Sequence, residues 1–330
     1  MSSIVRIAFL FLCVINASHA ADPREETRFG SNPGNLRMFS YVPERLASPA
    51  ALVVVLHGCK QKAADFARDA GWLALADDAK VALLLPEQKG LPSYYHDVYV
   101  PPWAVTWGGA NNQNGCFNWF EPEDNVRDKG EALSIRQMIE TMIGRYSLDR
   151  ARIFIAGFSA GGAMTATMLA AYPELFAGGA IVAGVPYRCA ETVSQALRCM
   201  NPGVDHPAAE WRRKVAAGER KFPPVSIWQG SADARVVPAN QRELVEQWTA
   251  LHGIADAQGR VESSGALTRT HYADAAGHAR VESVLVQGLK HAFPIETGGA
   301  SPCGREGDFV TAAGVCAPRE IGRFWGLATR

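Results

Sequence analysis

The chain contains no C-x-x-C pair and no H-E-x-x-H. Ligands spaced in those ways are how a zinc site shows itself in a sequence, so metal chemistry has no motif here. A basic block is also missing. The 33 Lys and Arg residues are matched by 33 Asp and Glu. That balance argues against nucleic acid or an anionic membrane surface as partner. No internal repeat and no low-complexity linker interrupts the chain, which leaves one domain as its simplest organisation. The apolar run Ile7–Ile15 is too short to span a bilayer as a stable anchor.

That short run has another use. Arg6 precedes it, and Ser18-His19-Ala20 follows with small residues at its first and third places. Charge, apolar core and small-residue site in this order predict a signal peptide over residues 1–20, cleaved near Ala20. Bulky Leu12 argues against a lipid anchor on Cys13. The mature chain, residues 21–330, is then expected as a single exported catalytic domain, extracellular or periplasmic. Losing Cys13 leaves Cys59, Cys116, Cys189, Cys199, Cys303 and Cys316. An even set in an exported chain implies disulfides, although arithmetic alone does not choose the pairing. Nearness in sequence suggests Cys189–Cys199 and Cys303–Cys316, which leaves Cys59 with Cys116.

Leu36–Val42 reads as an early strand. Ala51–Leu56 and Val81–Leu85 are short, continuous apolar runs, as expected of strands covered on both faces of a parallel sheet. Arg152–Ala156, Ala180–Val185, Val225–Gln229 and Val281–Val286 read as further strands. Helices are expected over Ala63–Lys80, Arg127–Tyr146, Ala160–Tyr172, Pro238–His252 and Pro318–Leu327. Residues 186–222 read as an irregular insertion. Strands alternating with helices imply an α/β fold, with a mainly parallel sheet and helices on both faces. Residues 86–125 form a long loop rich in Pro, Gly, Asn and aromatic side chains, and loops of that length are usually functional or disordered. The aromatic content argues for function.

Gly157-Phe158-Ser159-Ala160-Gly161 matches G-x-S-x-G between an expected strand and an expected helix. The strand–turn–helix context points to a nucleophile elbow rather than a Gly-rich turn with a capping serine. A serine nucleophile needs a base, here expected later in the chain and oriented by an intervening acid. His291 follows the strand Val281–Val286. His206, His252, His271 and His278 lie in the insertion, at a helix end or in polar stretches, and read as solvated or capping. Asp233 follows the strand Val225–Gln229, whereas Asp205, Asp256 and Asp274 lie in polar segments. A turn-capping aspartate is the plainer reading of Asp233. For the oxyanion, the amides of Cys59 and Ala160 are the expected donors, one after an early strand and one at a helix start. His57 reads as a buried support for its loop.

His57-Gly58-Cys59, Cys116-Phe117-Asn118-Trp119-Phe120, Gly157-Phe158-Ser159-Ala160-Gly161-Gly162, Gly230-Ser231-Ala232-Asp233 and Gly288-Leu289-Lys290-His291 together resemble the polyhydroxybutyrate depolymerase family of esterases. That family also includes feruloyl and acetylxylan esterases. The resemblance runs from about residue 36 to the end. It implies an α/β-hydrolase fold and a serine ester hydrolase without cofactor or metal. It also implies a Ser159, Asp233 and His291 triad, with Cys59 and Ala160 as the oxyanion hole. Trp119 would line the acyl or alcohol pocket; a core tryptophan is the alternative. Trp103, Trp107 and Trp119 could wall off a pocket suited to short acyl groups. The expected substrates are short-chain hydroxyalkanoate polyesters or oligomers, with feruloylated or acetylated saccharides as the alternative. A secreted acyltransferase and a non-catalytic binding protein on the same fold are further alternatives. Family members that erode solid polyester usually carry a linker and a separate polymer-binding domain, and neither is expected here.

Overall fold

The computed structural model describes residues 22–95, 98–101, 104–105, 109–215, 220–254, 259–299 and 302–327. The expected signal segment, together with Trp103 and Trp107, lies outside them. Ten strands form one sheet. In chain order they are β1 (Arg24–Glu26), β2 (Arg37–Tyr41), β3 (Leu52–Leu56), β4 (Ala82–Glu87), β5 (Ile153–Phe158), β6 (Gly178–Val182), β7 (Val225–Gly230), β8 (Arg260–Ser264), β9 (Leu267–Ala273) and β10 (Ala279–Val286). Their spatial order is β1-β2-β4-β3-β5-β6-β7-β10-β9-β8. The central run from β4 to β10 is parallel, and the outer pairs at both edges are antiparallel.

The apolar runs sit where a parallel sheet needs them. Every residue of β3, β4, β5, β6 and β7 is buried. Alternate side chains serve opposite faces, as the period of two dictates. Leu52, Val54 and Leu56 join the core beneath α3 (Gly130–Tyr146) and α4 (Ala160–Ala171). Val53 and Val55 join the core beneath α1 (Ala63–Asp69), α2 (Trp72–Ala79) and α8 (Ala317–Phe324). The face of α3 carrying Ile135, Met138, Ile139 and Met142 is fully buried, which makes these methionines core. Helix α4 has no exposed residue at all, so it is a core helix, and only small and apolar side chains plus two threonines suit it.

Three elements differ from the sequence expectation. Ala63–Lys80 is two helices, because Gly71 takes a φ of 84°. A Cβ on Gly71 would sit 3.2 Å from the Gly304 amide, so a neighbouring loop occupies the notch between the helices. The insertion over 186–222 is partly regular. It holds α5 (Val193–Met200) and α6 (Ala208–Val215), with α7 (Ala239–Leu251) packed against α6. Finally, β8 and β9 extend the sheet as an antiparallel hairpin. β8 is exposed along its whole length and carries no apolar alternation. Its pairing comes from backbone hydrogen bonds to β9, which leave no hydrophobic mark in the sequence.

Candidate active site

The C-terminal ends of parallel strands converge on one cleft. Ser159 ends β5, with φ 55° and ψ −119°. Few L-residues adopt that backbone conformation, and it lifts the side chain above the sheet edge. The turn is as tight as two glycines permit. A Cβ on Gly157 would lie 2.2 Å from the Gly161 carbonyl oxygen. A Cβ on Gly161 would lie 2.3 Å from the Leu56 oxygen and 2.5 Å from the His57 oxygen. The first turn of α4 therefore lies directly against the loop that follows β3. The Ser159 amide is held by the Val182 carbonyl at 2.9 Å.

His291 comes from the loop after β10. Its Nε2 lies 2.9 Å from Ser159 Oγ, and its Nδ1 lies 2.7 Å from Asp233 Oδ2. The imidazole lies between two rings, 5.0 Å from Phe158 and 6.1 Å from Phe309 between centroids. Asp233, after β7, is fully buried at its side chain. Its Oδ1 accepts from the Arg235 and Val236 amides at 2.8 and 3.0 Å. Its Oδ2 also accepts from Gln229 Nε2 at 3.1 Å. Asp233 is thus both a turn-forming aspartate and the partner of His291, two readings that the sequence set against each other.

Gln229 was not picked out in the sequence. It is buried near the end of β7 and donates to both Asp233 and the Val236 carbonyl, the latter at 2.8 Å. A large polar side chain following the apolar pair Ile227-Trp228 in a buried strand was the available signal. The other histidines lie elsewhere. His206 pairs with Glu210 at 3.0 Å, His252 contacts the Pro223 carbonyl, His271 sits in β9, and His278 lies beside Asp274. Asp205 pairs with Arg242, and Asp274 pairs with Arg280. Asp256 lies outside the described residues.

Cys59, in the loop after β3, and Ala160, at the start of α4, both line the cleft, and each carries a backbone amide. Neither amide has an acceptor among the described residues. His57 is fully buried. Its Nε2 accepts from the Gln88 amide at 3.1 Å, which leaves Nδ1 to donate to the Gly58 carbonyl at 2.7 Å. That bond fixes the plane of the Gly58–Cys59 peptide and hence the direction of the Cys59 N–H. Burial holds the His57 pKa below its ordinary value, which keeps this ring neutral.

The cleft encloses about 1080 Å3. Its lining combines the apolar side chains of Trp119, Val185, Ala196, Leu197 and Met200 with the amides of Asn111, Asn112, Gln113 and Asn118. Trp119 is both things the sequence allowed. It is only 6% exposed and packs in the core, and its accessible part lines the cleft. Cys59 is bonded to Cys116, Cys189 to Cys199 and Cys303 to Cys316, with Cα separations of 4.2, 6.1 and 6.0 Å. Among the described residues no cluster of three or more His, Cys, Asp or Glu side chains is arranged to hold a metal ion.

Comparison with known proteins accords with this layout. The family model described as esterase PHB depolymerase matches residues 38–270. Poly(3-hydroxyalkanoate) depolymerase C of Paucimonas lemoignei is 38% identical over 99% of this chain and 76% of its own length. Feruloyl esterase B of Neurospora crassa is 30% identical over 71% of this chain and 76% of its own length. The structure of an acetyl xylan esterase from Aspergillus awamori superposes with a TM-score of 0.73 at 21% identity, over 93% of this chain and all of that one. The shared architecture is the α/β-hydrolase fold.

Proposed function

This chain belongs to the esterase PHB depolymerase family and is an esterase, and from that premise we propose that it is an exported serine hydrolase of short-chain hydroxyalkanoate polyesters or oligomers. The observation that carries the serine mechanism is the continuous relay from Ser159 through His291 to Asp233 at the base of the cleft. Ser159 Oγ attacks the ester carbonyl carbon while its proton passes to His291 Nε2. The Cys59 and Ala160 amides hold the resulting oxyanion. Collapse breaks the ester C–O bond, and His291 gives its proton to the departing alcohol. A water then delivers its proton to His291 and attacks the acyl-serine. The second collapse releases the acid and returns the proton to Ser159. Asp233 keeps the imidazole oriented and stabilises its cationic form.

Export is supported by the three cysteine pairs, since disulfides persist in oxidising compartments. Polyester as the substrate class rests on the depolymerase relative. A feruloylated or acetylated saccharide is the second reading. It rests on the feruloyl esterase and acetylxylan esterase relatives. A serine-directed phosphonate is expected to label Ser159 alone and to block hydrolysis. A label on another residue, or full activity in Ser159→Ala, overturns the assignment.

A further inference from the structure

Glu131 has no part in the relay, yet it is completely buried in the first turn of α3. No Lys or Arg pairs with it among the described residues. Burial and the neighbouring Asp124 carboxylate push its pKa well above the usual carboxyl range, against the pull of two N–H donors. A carboxyl group is costly at such a place, so its two bonds are the feature to explain.

Each carboxylate oxygen holds a different loop of the active site. Oε2 accepts from the Asn118 amide at 2.9 Å, next to Trp119 in the cleft wall. Oε1 accepts from Gln88 Nε2. Gln88 in turn donates its backbone amide to His57 Nε2 at 3.1 Å, and His57 holds the Gly58 carbonyl beside Cys59. The Gln88 Oε1 atom is already occupied by the Lys89 amide and by Asn111 Nδ2. Gln88 is therefore fixed with its NH2 toward Glu131, and Glu131 must offer acceptors on both sides. Among side chains of this length only a carboxyl group, with an oxygen on each side and no N–H, does that.

We propose that Glu131 is a positioning residue for ester hydrolysis, a two-sided acceptor that sets the oxyanion loop and the Trp119 loop relative to each other. The inference rests on the oxyanion role proposed for Cys59. It separates from a simple packing role because the polar pattern can be inverted without changing size or charge. In Glu131→Gln, an NH2 group meets either Gln88 Nε2 or the Asn118 amide, and one loop loses its anchor. In Gln88→Glu, two carboxylates face each other. In the double variant Gln88→Glu, Glu131→Gln, every bond is restored. The carboxylate now at position 88 accepts from the new NH2 group at position 131, from the Lys89 amide and from Asn111. The amide oxygen at position 131 still accepts from Asn118.

The experiment measures kcat and KM on a short soluble ester, the rate of phosphonate inactivation, and the thermal unfolding midpoint, for both single variants and the double. Losing an oxyanion donor outright costs roughly 10²–10³ in rate, so a displaced one is expected to cost about 10- to 100-fold. Each single variant should lose that factor in kcat and in phosphonate inactivation together. The double should recover to within about threefold of the parent. Folded single variants with unchanged kcat overturn the inference, as does a folded double variant that stays as slow as the singles. If a single variant fails to fold, the double alone still decides by the same criterion. Failure of the phosphonate to label Ser159 in the parent enzyme instead removes the serine mechanism itself, a separate outcome.

Discussion

At the scale of the residue, Ser159 shows how a functional position departs from local preference. Its φ of 55° and ψ of −119° are held by the Val182 carbonyl behind it and by the packing of Gly157 and Gly161 around it. Such strain costs on the order of 1–3 kcal/mol and persists only where the surroundings enforce it. Ser159→Ala keeps the Cβ and hence the strain. Ser159→Gly removes it at an unfolded-state entropy cost of roughly 0.5–1 kcal/mol. Both variants should be inactive, and the Gly variant should unfold in urea at a midpoint no lower than that of the Ala variant. A Gly variant less stable by about 1 kcal/mol or more would show that the turn stores no strain.

His252 makes a second residue-scale case. It caps the end of α7 against the Pro223 carbonyl, and burial lowers its pKa from the ordinary 6.5 to about 4. The folded protein therefore keeps it neutral while the unfolded chain takes up a proton below about pH 6.5. Its contribution to stability is complete above that pH and is lost progressively as pH falls toward 4. His57, buried and shifted in the same direction, steepens the same limb. Urea unfolding at pH 7 and pH 4.5 checks this, with His252→Gln expected to reduce the difference between the two midpoints. An unchanged difference would place the acid sensitivity elsewhere.

At the scale of the element, the loops decide the chemistry, and covalent bonds brace two of them. Cys59–Cys116 closes a separation of 57 residues and joins the loop carrying the proposed oxyanion amide to the Asn118–Trp119 loop. Cys303–Cys316 closes 13 residues next to the notch at Gly71, on the opposite face of the sheet. In the chain-entropy model these closures contribute about 4 and about 3 kcal/mol, so removing either should lower stability comparably. Only the first should lower kcat. The Cys59→Ala, Cys116→Ala variant is expected to lose about tenfold or more in kcat, under conditions where it remains folded. The Cys303→Ala, Cys316→Ala variant should keep kcat within about twofold. Equal kcat in the two variants would mean that the first bridge does not hold the oxyanion amide.

Elements with an apolar signature were legible in the sequence: β3, β4, β5, β7, β10 and α4 lie within a residue or two of their expected places, and α3 ends where expected but begins at Gly130 rather than Arg127. The helix break at Gly71 was hidden because it answers to Gly304, 233 positions away in sequence. The hairpin of β8 and β9 was hidden because β8 is exposed and β9 only half-buried, so neither carries an apolar alternation.

At the scale of the whole molecule, the cleft lining mixes groups of two characters. Trp119, Leu197 and Met200 offer carbon, whereas Asn111, Asn112 and Gln113 offer amides. A long fatty acyl chain would extend past the carbon and cover polar lining groups, stripping them of water without offering a new partner. One unpaired polar group costs about 1–3 kcal/mol, which corresponds to about tenfold or more in kcat/KM. A butyrate ester should therefore surpass a dodecanoate ester by at least that factor on the same leaving group. The reverse ranking would show a continuous apolar channel. Hydroxybutyrate oligomers, methyl ferulate and acetylated xylan, compared in one panel, divide the polyester reading from the saccharide reading.

The sequence by itself determined the layered fold and the order of its chemistry. Continuous apolar runs fit only the buried centre of a parallel sheet, and G-x-S-x-G between strand and helix leaves few places for the side chain but the sheet edge. Proposing His291 and Asp233 over their competitors also needed only local information, because each follows one of those strands, and folding brings the two within hydrogen-bond distance. The tertiary structure alone decided what holds them. Gln88 behind His57 and Glu131 between two loops act through hydrogen bonds between residues brought together by folding, and even Gln229, four positions from Asp233, meets it only through the turn after β7. Burial of carbon leaves a period in the sequence. A buried hydrogen bond depends on a partner that only the fold brings near, and it leaves none.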